Sequence, residues 1–355
     1  MRPEVLVVGG GPAGAAAALA LARLGRRVSV LERETAPRHA VCGEFLSAEA
    51  AEALTRLGLP PAALGGAPVE RVRLAAGRWD AAGTLPFRAF GLSRRRMDAA
   101  LLDAASVAGA TVRRGVRVRG LSPAGEARLE GGEILAAERT LLATGKHGLR
   151  GWKRQKGRPM LGGKLHFALR RDQARALDGH VELHLLPDGY AGLQLVENGT
   201  ANLCWLREGG DLAVPAPPGS LLASRLEGAV PLWPKPLAVA RVPYGHLHAP
   251  APGEVVFRLG DQAAVTPSFT GDGMAIALHS GLLAASMLGG GAPAFHAALR
   301  RDVGGQMRRA RLLLAGMGLP AVALARFLPG LLGLGARLTR LPQGCGRVFN
   351  PLGLG

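Results

Sequence analysis

The chain has 355 residues, 48% of them apolar and 20% charged, enough for about two domains with a sizeable core. Its formal charge is +18, from 44 Lys+Arg against 26 Asp+Glu, which raises the question of nucleic acid or an anionic membrane as partner. Only five of those cations are lysines and aromatic residues make up 4%, too few for base-stacking platforms, so no nucleic acid is expected.

Cys42, Cys204 and Cys345 have neither metal-ligand spacing nor an even-numbered disulfide pattern. Met1 leads straight into a strand, without the sections of a signal peptide. No uncharged apolar run reaches the roughly 18 residues of a spanning helix. The expectation is a globular protein of the cytoplasm.

In chain order, Glu4–Val8 is a short apolar run stopping at three glycines, which predicts a buried parallel strand. Pro12–Leu24 predicts an Ala-rich helix closed by Gly25, and Arg27–Glu32 a second strand, together a βαβ opening. Ser47–Leu57 is helical; Val69–Ala75 and Gly83–Phe90 are strand-like; Arg94–Ala108 is a helix closed by Gly109. Thr111–Val118, a turn-linked pair near 126–136, and Arg139–Ala143 return to the sheet. Between Gly162 and Pro243 the pattern changes to period-two strands, such as His180–Leu186, Tyr190–Val196 and Asn202–Arg207. Glu254–Leu259 is again a buried strand, Gly273–Leu288 a long helix, and the remainder from about 292 is helical and broken by Pro320 and Pro329. A first domain (1–75, 91–160 and 250–290) is thus interrupted by a second (76–90 and 161–249) and followed by a helical segment (291–355).

Gly9-Gly10-Gly11-Pro12-Ala13-Gly14 is a G-x-G-x-x-G pattern at the first strand-to-helix junction. Gly9 permits the tight turn, Gly11 lets a pyrophosphate approach the backbone, and Gly14 lets the helix pack on the strand. The helix N-terminus offers free N–H groups to phosphates. Glu32, at the end of the second strand, can accept both ribose hydroxyls of an adenosine. The pattern alone does not separate NAD from FAD. A second motif does: a strand ending at Leu259 leads into Gly260-Asp261, then Pro267, Gly271 and Gly273-Met274 at a helix start. The Asp261 carboxylate can meet a polyol chain, which only a flavin cofactor carries. The glycines admit a ring, and the helix directs its positive end at the edge that gains charge on reduction.

With both motifs and the interrupted domain order, residues 1 to about 290 resemble the FAD-dependent hydroxylases related to p-hydroxybenzoate hydroxylase, and within them the geranylgeranyl-reductase-like branch. The fold class this implies is α/β: a Rossmann-type FAD-binding domain with an inserted, mainly antiparallel β substrate domain and a C-terminal helical segment. The resemblance implies non-covalent FAD, with NADPH or NADH as electron donor. It places Arg94 facing the cofactor, the bland alternative being a solvated arginine in Arg94-Arg95-Arg96. It puts backbone near Val116 at the adenine and the segment from Pro37 through Arg38 to Glu44 along the flavin, with Arg33 and Gly145 as further cofactor contacts. Cys42-Gly43 is similar to the Cys-Gly pair of the reductase branch, where a thiol can donate a proton or simply pack.

Three departures narrow the chemistry. Ala143-Thr144-Gly145-Lys146-His147-Gly148-Leu149-Arg150 lacks the Asp and Ser that hydroxylases carry there, the aromatic-Trp-Phe-Pro signature of lipid-reducing relatives is replaced by Asp188-Gly189-Tyr190-Ala191-Gly192-Leu193, and the Trp-x-Trp-x-x-Pro mark of flavin halogenases is absent. The reading is FAD-dependent redox chemistry on a hydrophobic small molecule, as hydride transfer to a double bond, with Cys42 and Tyr190 as catalytic candidates. A flavin monooxygenase and a non-catalytic FAD-binding protein are the alternatives. His166 and His184 share the wall strands with Tyr190 and read as supporting residues, and Trp233 and His279 read as packing.

In the tail, Phe295, Leu299, Val303, Met307 and Leu314 form a helical stripe, with Arg300, Arg301, Arg308 and Arg309 mostly off it. This fits a cap packed on the FAD domain. It also fits an interfacial helix on anionic membrane, a peripheral contact giving access to a lipid-like substrate.

Overall fold

The apolar run Val5–Val8 is the central strand of a parallel sheet and is buried along its whole length, as continuous Val and Leu require in a strand covered on both faces. The structure, a computed structural model, describes residues 3–154, 160–209, 211–316, 319–328, 330–338 and 340. Cys345 and the tail beyond residue 340 lie outside the described residues.

The elements run β1 (Val5–Val8), α1 (Pro12–Arg23), β2 (Val28–Glu32), β3 (Phe45–Leu46), α2 (Ala48–Arg56), β4 (Ala67–Ala76), β5 (Trp79–Gly91), α3 (Arg94–Val107) and β6 (Thr111–Arg114). Next come β7 (Val118–Leu121), β8 (Ala127–Leu129), β9 (Ile134–Leu135), β10 (Arg139–Leu142), β11 (Met160–Ala168), α4 (Arg171–Leu177), β12 (Gly179–Leu186), β13 (Gly189–Leu195) and β14 (Ala201–Glu208). The chain ends with α5 (Leu221–Leu226), β15 (Val230–Pro231), β16 (Leu237–Ala240), β17 (Val256–Arg258), α6 (Gly273–Ser286), α7 (Ala292–Ala315), α8 (Leu319–Phe327) and α9 (Gly330–Leu338).

Five strands in the order β17-β10-β1-β2-β6 form the first sheet, all parallel. Helix α1 is alanine-rich for a packing reason. A Cβ at Gly281 of α6 would stand 2.3 Å from the Ala13 carbonyl oxygen, so the two helices meet backbone to backbone. The second sheet has the order β15-β11-β14-β13-β12-β4-β5-β3, with β16 on β11. It is antiparallel except where β4 and β12 pair in parallel.

Three details differ from the sequence expectations. The hairpin β4–β5 lies wholly in the second sheet, so a boundary after residue 75 passes through it. The expected strand Thr111–Val118 is two strands, because Gly115 takes a left-handed φ of +73° between them. The strand near 254–259 shortens to Val256–Arg258, since Glu254 turns aside to bind His248 and Arg258. In the tail, Phe295, Leu299, Val303 and Met307 are buried against the core of the first domain, as the cap reading expects. The side chain of Leu314 lies outside the described residues.

Candidate active site

A cavity of about 1010 Å³ lies over the carboxyl ends of the parallel strands and reaches under the second sheet. Such strand ends are where open α/β sheets bind ligands, and this volume is at the upper end for small-molecule sites. Its lining includes Gly9 and Gly11 after β1, Glu32 at the end of β2, Val116 beyond β6, Gly145 after β10 and Asp261 after β17. Pro12, Ala13, Gly260, Gly271, Gly273 and Met274 also line it, whereas Gly14 and Pro267 do not.

The glycine turn shows why each residue is there. Gly9 has φ +108°, and a Cβ on it would fall 2.5 Å from the Ala143 carbonyl oxygen. A Cβ on Gly14 would stand 2.0 Å from the Gly9 oxygen, so Gly14 is a packing requirement of the turn. A Cβ on Gly11 would meet only the Arg94 guanidinium, at 3.5 Å, and otherwise point into open space. Helix α1 starts there with no side-chain cap and no acidic residue in its first turn. Its free N–H groups and positive dipole end therefore face the cavity unsatisfied, a ready anion site.

Glu32 is held at the strand end by two N–H donors, Gly10 at 2.7 Å and Glu34 at 2.9 Å. Arg33 and Arg38 both pair with Glu34, each at 2.9 Å, which sets two guanidinium groups at the cavity rim. At the opposite end Gly260 wedges between Ala13 and Ala277, and its N–H donates to Ser280 Oγ at 2.8 Å. Gln262 donates to the carbonyls of Gly145 and His147, at 2.7 and 2.8 Å, tying two strand-end loops together.

Arg94 turns inward while Arg95 and Arg96 are exposed. It makes a bidentate pair with Asp98 at 2.8 and 2.7 Å. Burial opposes its charge, but the Asp98 carboxylate outweighs that and lifts the guanidinium further above its ordinary range. The group is a fixed cation on the cavity wall, also in contact with the Cys42 sulfur.

Cys42 sits in a loop pinned from several sides. Its Sγ accepts the Glu44 N–H at 3.4 Å. Gln194 of β13 donates to the Gly43 carbonyl at 3.0 Å, Asn202 of β14 to the same oxygen at 2.8 Å, and Lys146 to the Val41 carbonyl at 2.8 Å. Cys42 and Gly43 both line the cavity, as does Cys204, whose thiol burial pushes up to about 12. Tyr190 lines it too, with its hydroxyl 2.5 Å from Ser268 Oγ; burial drives its pKa upward, so it is a neutral, oriented hydroxyl.

Behind this wall lies a charge cluster that the sequence reading did not single out. Glu44 is fully buried at φ +57°. Its carboxylate accepts from Lys164, from His166 Nε2 at 2.8 Å and from the Arg94 N–H at 2.7 Å. Burial alone would raise the Glu44 carboxyl, but the His166 bond and the Lys164 charge together hold it below the usual range. The available signal was Lys164 itself, a lone cation inside the apolar strand Met-Leu-Gly-Gly-Lys-Leu-His-Phe-Ala. His184 supports a second buried carboxylate, Glu182, at 3.1 Å, and His279 pairs with Asp302 at 3.0 Å. Trp233 packs on His39 and His166.

Two His/Glu groups have ligand-like spacing, His39-Glu44-His166 and His248-Glu254-His296. Neither donor set suits a cation. Glu44 already neutralises Lys164, and Glu254 neutralises Arg258 at 3.1 Å. His296 Nε2 accepts the Arg258 N–H at 2.9 Å, which leaves the ring proton on Nδ1, toward Glu254.

An uncapped helix N-terminus at a glycine turn, an acidic strand end and a Gly-Asp strand end around one cavity define an FAD-binding fold. Residues 2–128 match the family model of an FAD binding domain. A 58-residue stretch is 48% identical to a menaquinone reductase of Mycolicibacterium smegmatis, and a 56-residue stretch is 50% identical to one of Mycobacterium tuberculosis. Each stretch covers 16% of this chain and 14% of the relative, so the chain aligns with a small part of their length. Among solved structures, the flavin-dependent brominase Bmp2 superposes with TM-score 0.77 at 17% identity, covering 100% of this chain and 96% of that one. The halogenase PltM gives 0.73 at 15% identity, over 88% of this chain and 75% of that one. A geranylgeranyl bacteriochlorophyll reductase-like protein from Thermoplasma acidophilum gives 0.67 at 20%, over 88% and 85%. These likenesses are of fold. The chain thus carries an FAD-binding domain over residues 2–128 and is similar in fold to flavin-dependent enzymes, a geranylgeranyl bacteriochlorophyll reductase-like protein among them.

Proposed function

We propose that this protein reduces a carbon–carbon double bond in a hydrophobic substrate. The residues around the cavity fit FAD: the α1 N-terminus and Gly11 would hold the diphosphate, Glu32 the ribose, and Asp261 the polyol chain. Arg33, Arg38, Arg94, Gly145 and the Gly271–Met274 segment would complete the cradle. Bound FAD, reduced by NADPH or NADH, supplies a hydride equivalent; the chain must supply the matching proton.

The observation that carries this reading is the setting of Cys42. Its sulfur lines the cavity, accepts the Glu44 N–H and lies against Arg94, which holds it on the wall where a thiol would meet a substrate. The pinned 41–44 loop fixes that placement, and Tyr190 with Ser268 offers a hydroxyl pair that can orient a polar end of the substrate. A positioned proton donor of this kind contributes about 10²–10⁴-fold to a rate.

The matched relatives are named for menaquinone, which makes a prenylated quinone the first substrate to try. Reduced holoenzyme is incubated with it without oxygen, and the product is weighed by mass spectrometry. A gain of two hydrogens supports the reading. A product formed only in oxygen, with labelled oxygen incorporated, replaces it with a hydroxylase.

A further inference from the structure

The cavity has a second arm that the FAD cradle does not use. It runs between the sheet and the C-terminal helices, along Leu74, Leu85 and Phe87 of the β4–β5 hairpin and Leu183 of β12, roofed by Ala325 of α8 and Leu332 of α9. Its walls are mostly apolar, with the Arg340 guanidinium over the Phe87 ring at 4.5 Å. It ends at Leu312 and Leu324, which line the cavity and yet are 75% and 53% exposed. Side chains that face both the cavity and the solvent mark a mouth.

The surface around this mouth is apolar and basic together. Phe327 is 82% exposed, and Leu328, Leu334 and Leu338 are exposed beside it. Trp79, 51% exposed, lies at the same place, with the Arg78 and Arg326 guanidinium groups 5.3 and 5.5 Å from its ring. Between Val303 and Arg340 the sequence holds six arginines and no acidic residue. Arg340 turns inward to Asp272 and Glu49, whereas Arg311, Arg326 and Arg337 are exposed. Among the described residues no single helix is long and apolar enough to cross a bilayer, and Pro320–Phe327 and Gly330–Leu338 are bent by 117°.

We propose that α8 and α9 form an elbow that seats in the interface of an anionic bilayer, so that the second arm opens into the leaflet and takes the hydrocarbon chain of a membrane lipid from it. This rests on the reading of the cavity as a site for a hydrophobic substrate. A bilayer satisfies every feature of the surface at once. Phe327 and the leucines enter the acyl boundary, Trp79 lies at headgroup level, and the arginines reach the lipid phosphates. An acidic protein partner matches the arginines but leaves an apolar mouth sealed against a folded surface, where no substrate passes.

The test uses the full FAD-loaded chain and vesicles of phosphatidylcholine, alone or with about one third phosphatidylglycerol. The expected result is flotation at least about 10-fold stronger with the anionic lipid, falling as salt is raised. Carrying Phe327→Asp and Leu328→Asp together should cut it about 10-fold or more while the flavin absorbance stays as in the wild type. Lipids brominated on the acyl chain should quench a component of the fluorescence that Trp79→Phe lacks. Three results overturn the proposal: flotation no stronger than with phosphatidylcholine alone, flotation unchanged in the double variant, or a dimer that the double variant dissolves without any vesicle binding. Flotation needs no turnover, so a protein that floats but reduces nothing leaves the docking intact and sinks only the reductase reading.

Discussion

Lys164 and Glu44 form an ion pair in which neither side chain meets solvent, and it ties the middle of β11 to the turn that follows Cys42. The pair joins two parts of the molecule that must stay in register, because Glu44 also accepts the N–H of Arg94 at the head of α3. Loss of one partner from a buried pair costs about 3–5 kcal/mol, since the other charge is stranded. Lys164→Met and Glu44→Gln should each destabilise by about that amount in urea unfolding at neutral pH, and the two together by less than their sum. Additive losses would show that the two groups do not depend on each other. The pH dependence has a definite sign. The folded carboxyl is depressed, so its contribution is full above the unfolded value of about 4.3 and is lost as pH falls through the lower folded value.

Asp272 shows the opposite sign. Burial pushes its carboxyl up to about 7, against the pull of Arg340 at 3.0 Å. Its unfolded value is about 3.9. The folded state holds the proton more tightly, so the contribution to stability is full below about pH 4 and is lost as pH rises through about 7. Asp272→Asn should flatten this fall, and its melting temperature should gain on the wild type between about pH 5 and pH 8. The gain is at most about 1.4 kcal/mol for each pH step of one between the unfolded and folded values. Parallel pH profiles for the two proteins would mean that the carboxylate ionises in place without cost.

The two glycines of the first turn should separate cofactor binding from folding. Gly11→Val adds bulk where only the Arg94 guanidinium is near, so the protein should fold and yet be colourless, with its diphosphate site blocked. Gly14→Ala puts a carbon against the Gly9 oxygen and should destabilise the fold itself. Asp261→Ala should fold and hold FAD more weakly. Cofactor released on denaturation, measured by absorbance, checks all three. A yellow Gly11→Val protein with full FAD would move the diphosphate away from this turn.

How much of this was readable beforehand follows from distance along the chain. The glycine turn, Glu32 and Gly260-Asp261 are local patterns, each set by the few residues around it, and the structure brings Gly9, Gly11, Glu32, Gly260 and Asp261 to one cavity. Arg94 was ambiguous because three arginines stand in a row, and only the position of Asp98 one turn later selects the first to turn inward. The Glu44–Lys164 pair was not readable, because its partners are 120 residues apart and meet only when the loop ahead of β3 folds against β11. The β4 boundary was missed for the same reason: β4 joins the second sheet by pairing with β12, a strand more than a hundred residues later. Of the C-terminal stripe, Phe295, Leu299, Val303 and Met307 are buried as a helical face predicts, but the cavity mouth between α8, α9 and the β4–β5 hairpin depends on tertiary packing.

Cys42 is either a proton donor or a packing residue, and its removal decides which. As a proton donor the thiol must face the substrate, and Cys42 is placed on the cavity wall between the Glu44 N–H and Arg94. As a packing residue it only fills space in the 41–44 loop, whose position is already fixed by Gln194, Asn202 and Lys146. Cys42→Ala should therefore keep the loop, bind FAD and accept electrons from NADPH or NADH at the wild-type rate. Product formation without oxygen should drop by about 10²–10⁴-fold, the usual worth of a positioned acid. Cys204→Ala is the matching control, a cavity thiol held up to about 12 by burial, and should lose little. In heavy water the wild type should place one solvent deuteron on the carbon next to the one that receives the hydride, because a thiol exchanges its proton with solvent. If Cys42→Ala turns over as fast as the wild type, the proton comes from elsewhere on the wall, with Tyr190 the next candidate, and Cys42 is a packing residue.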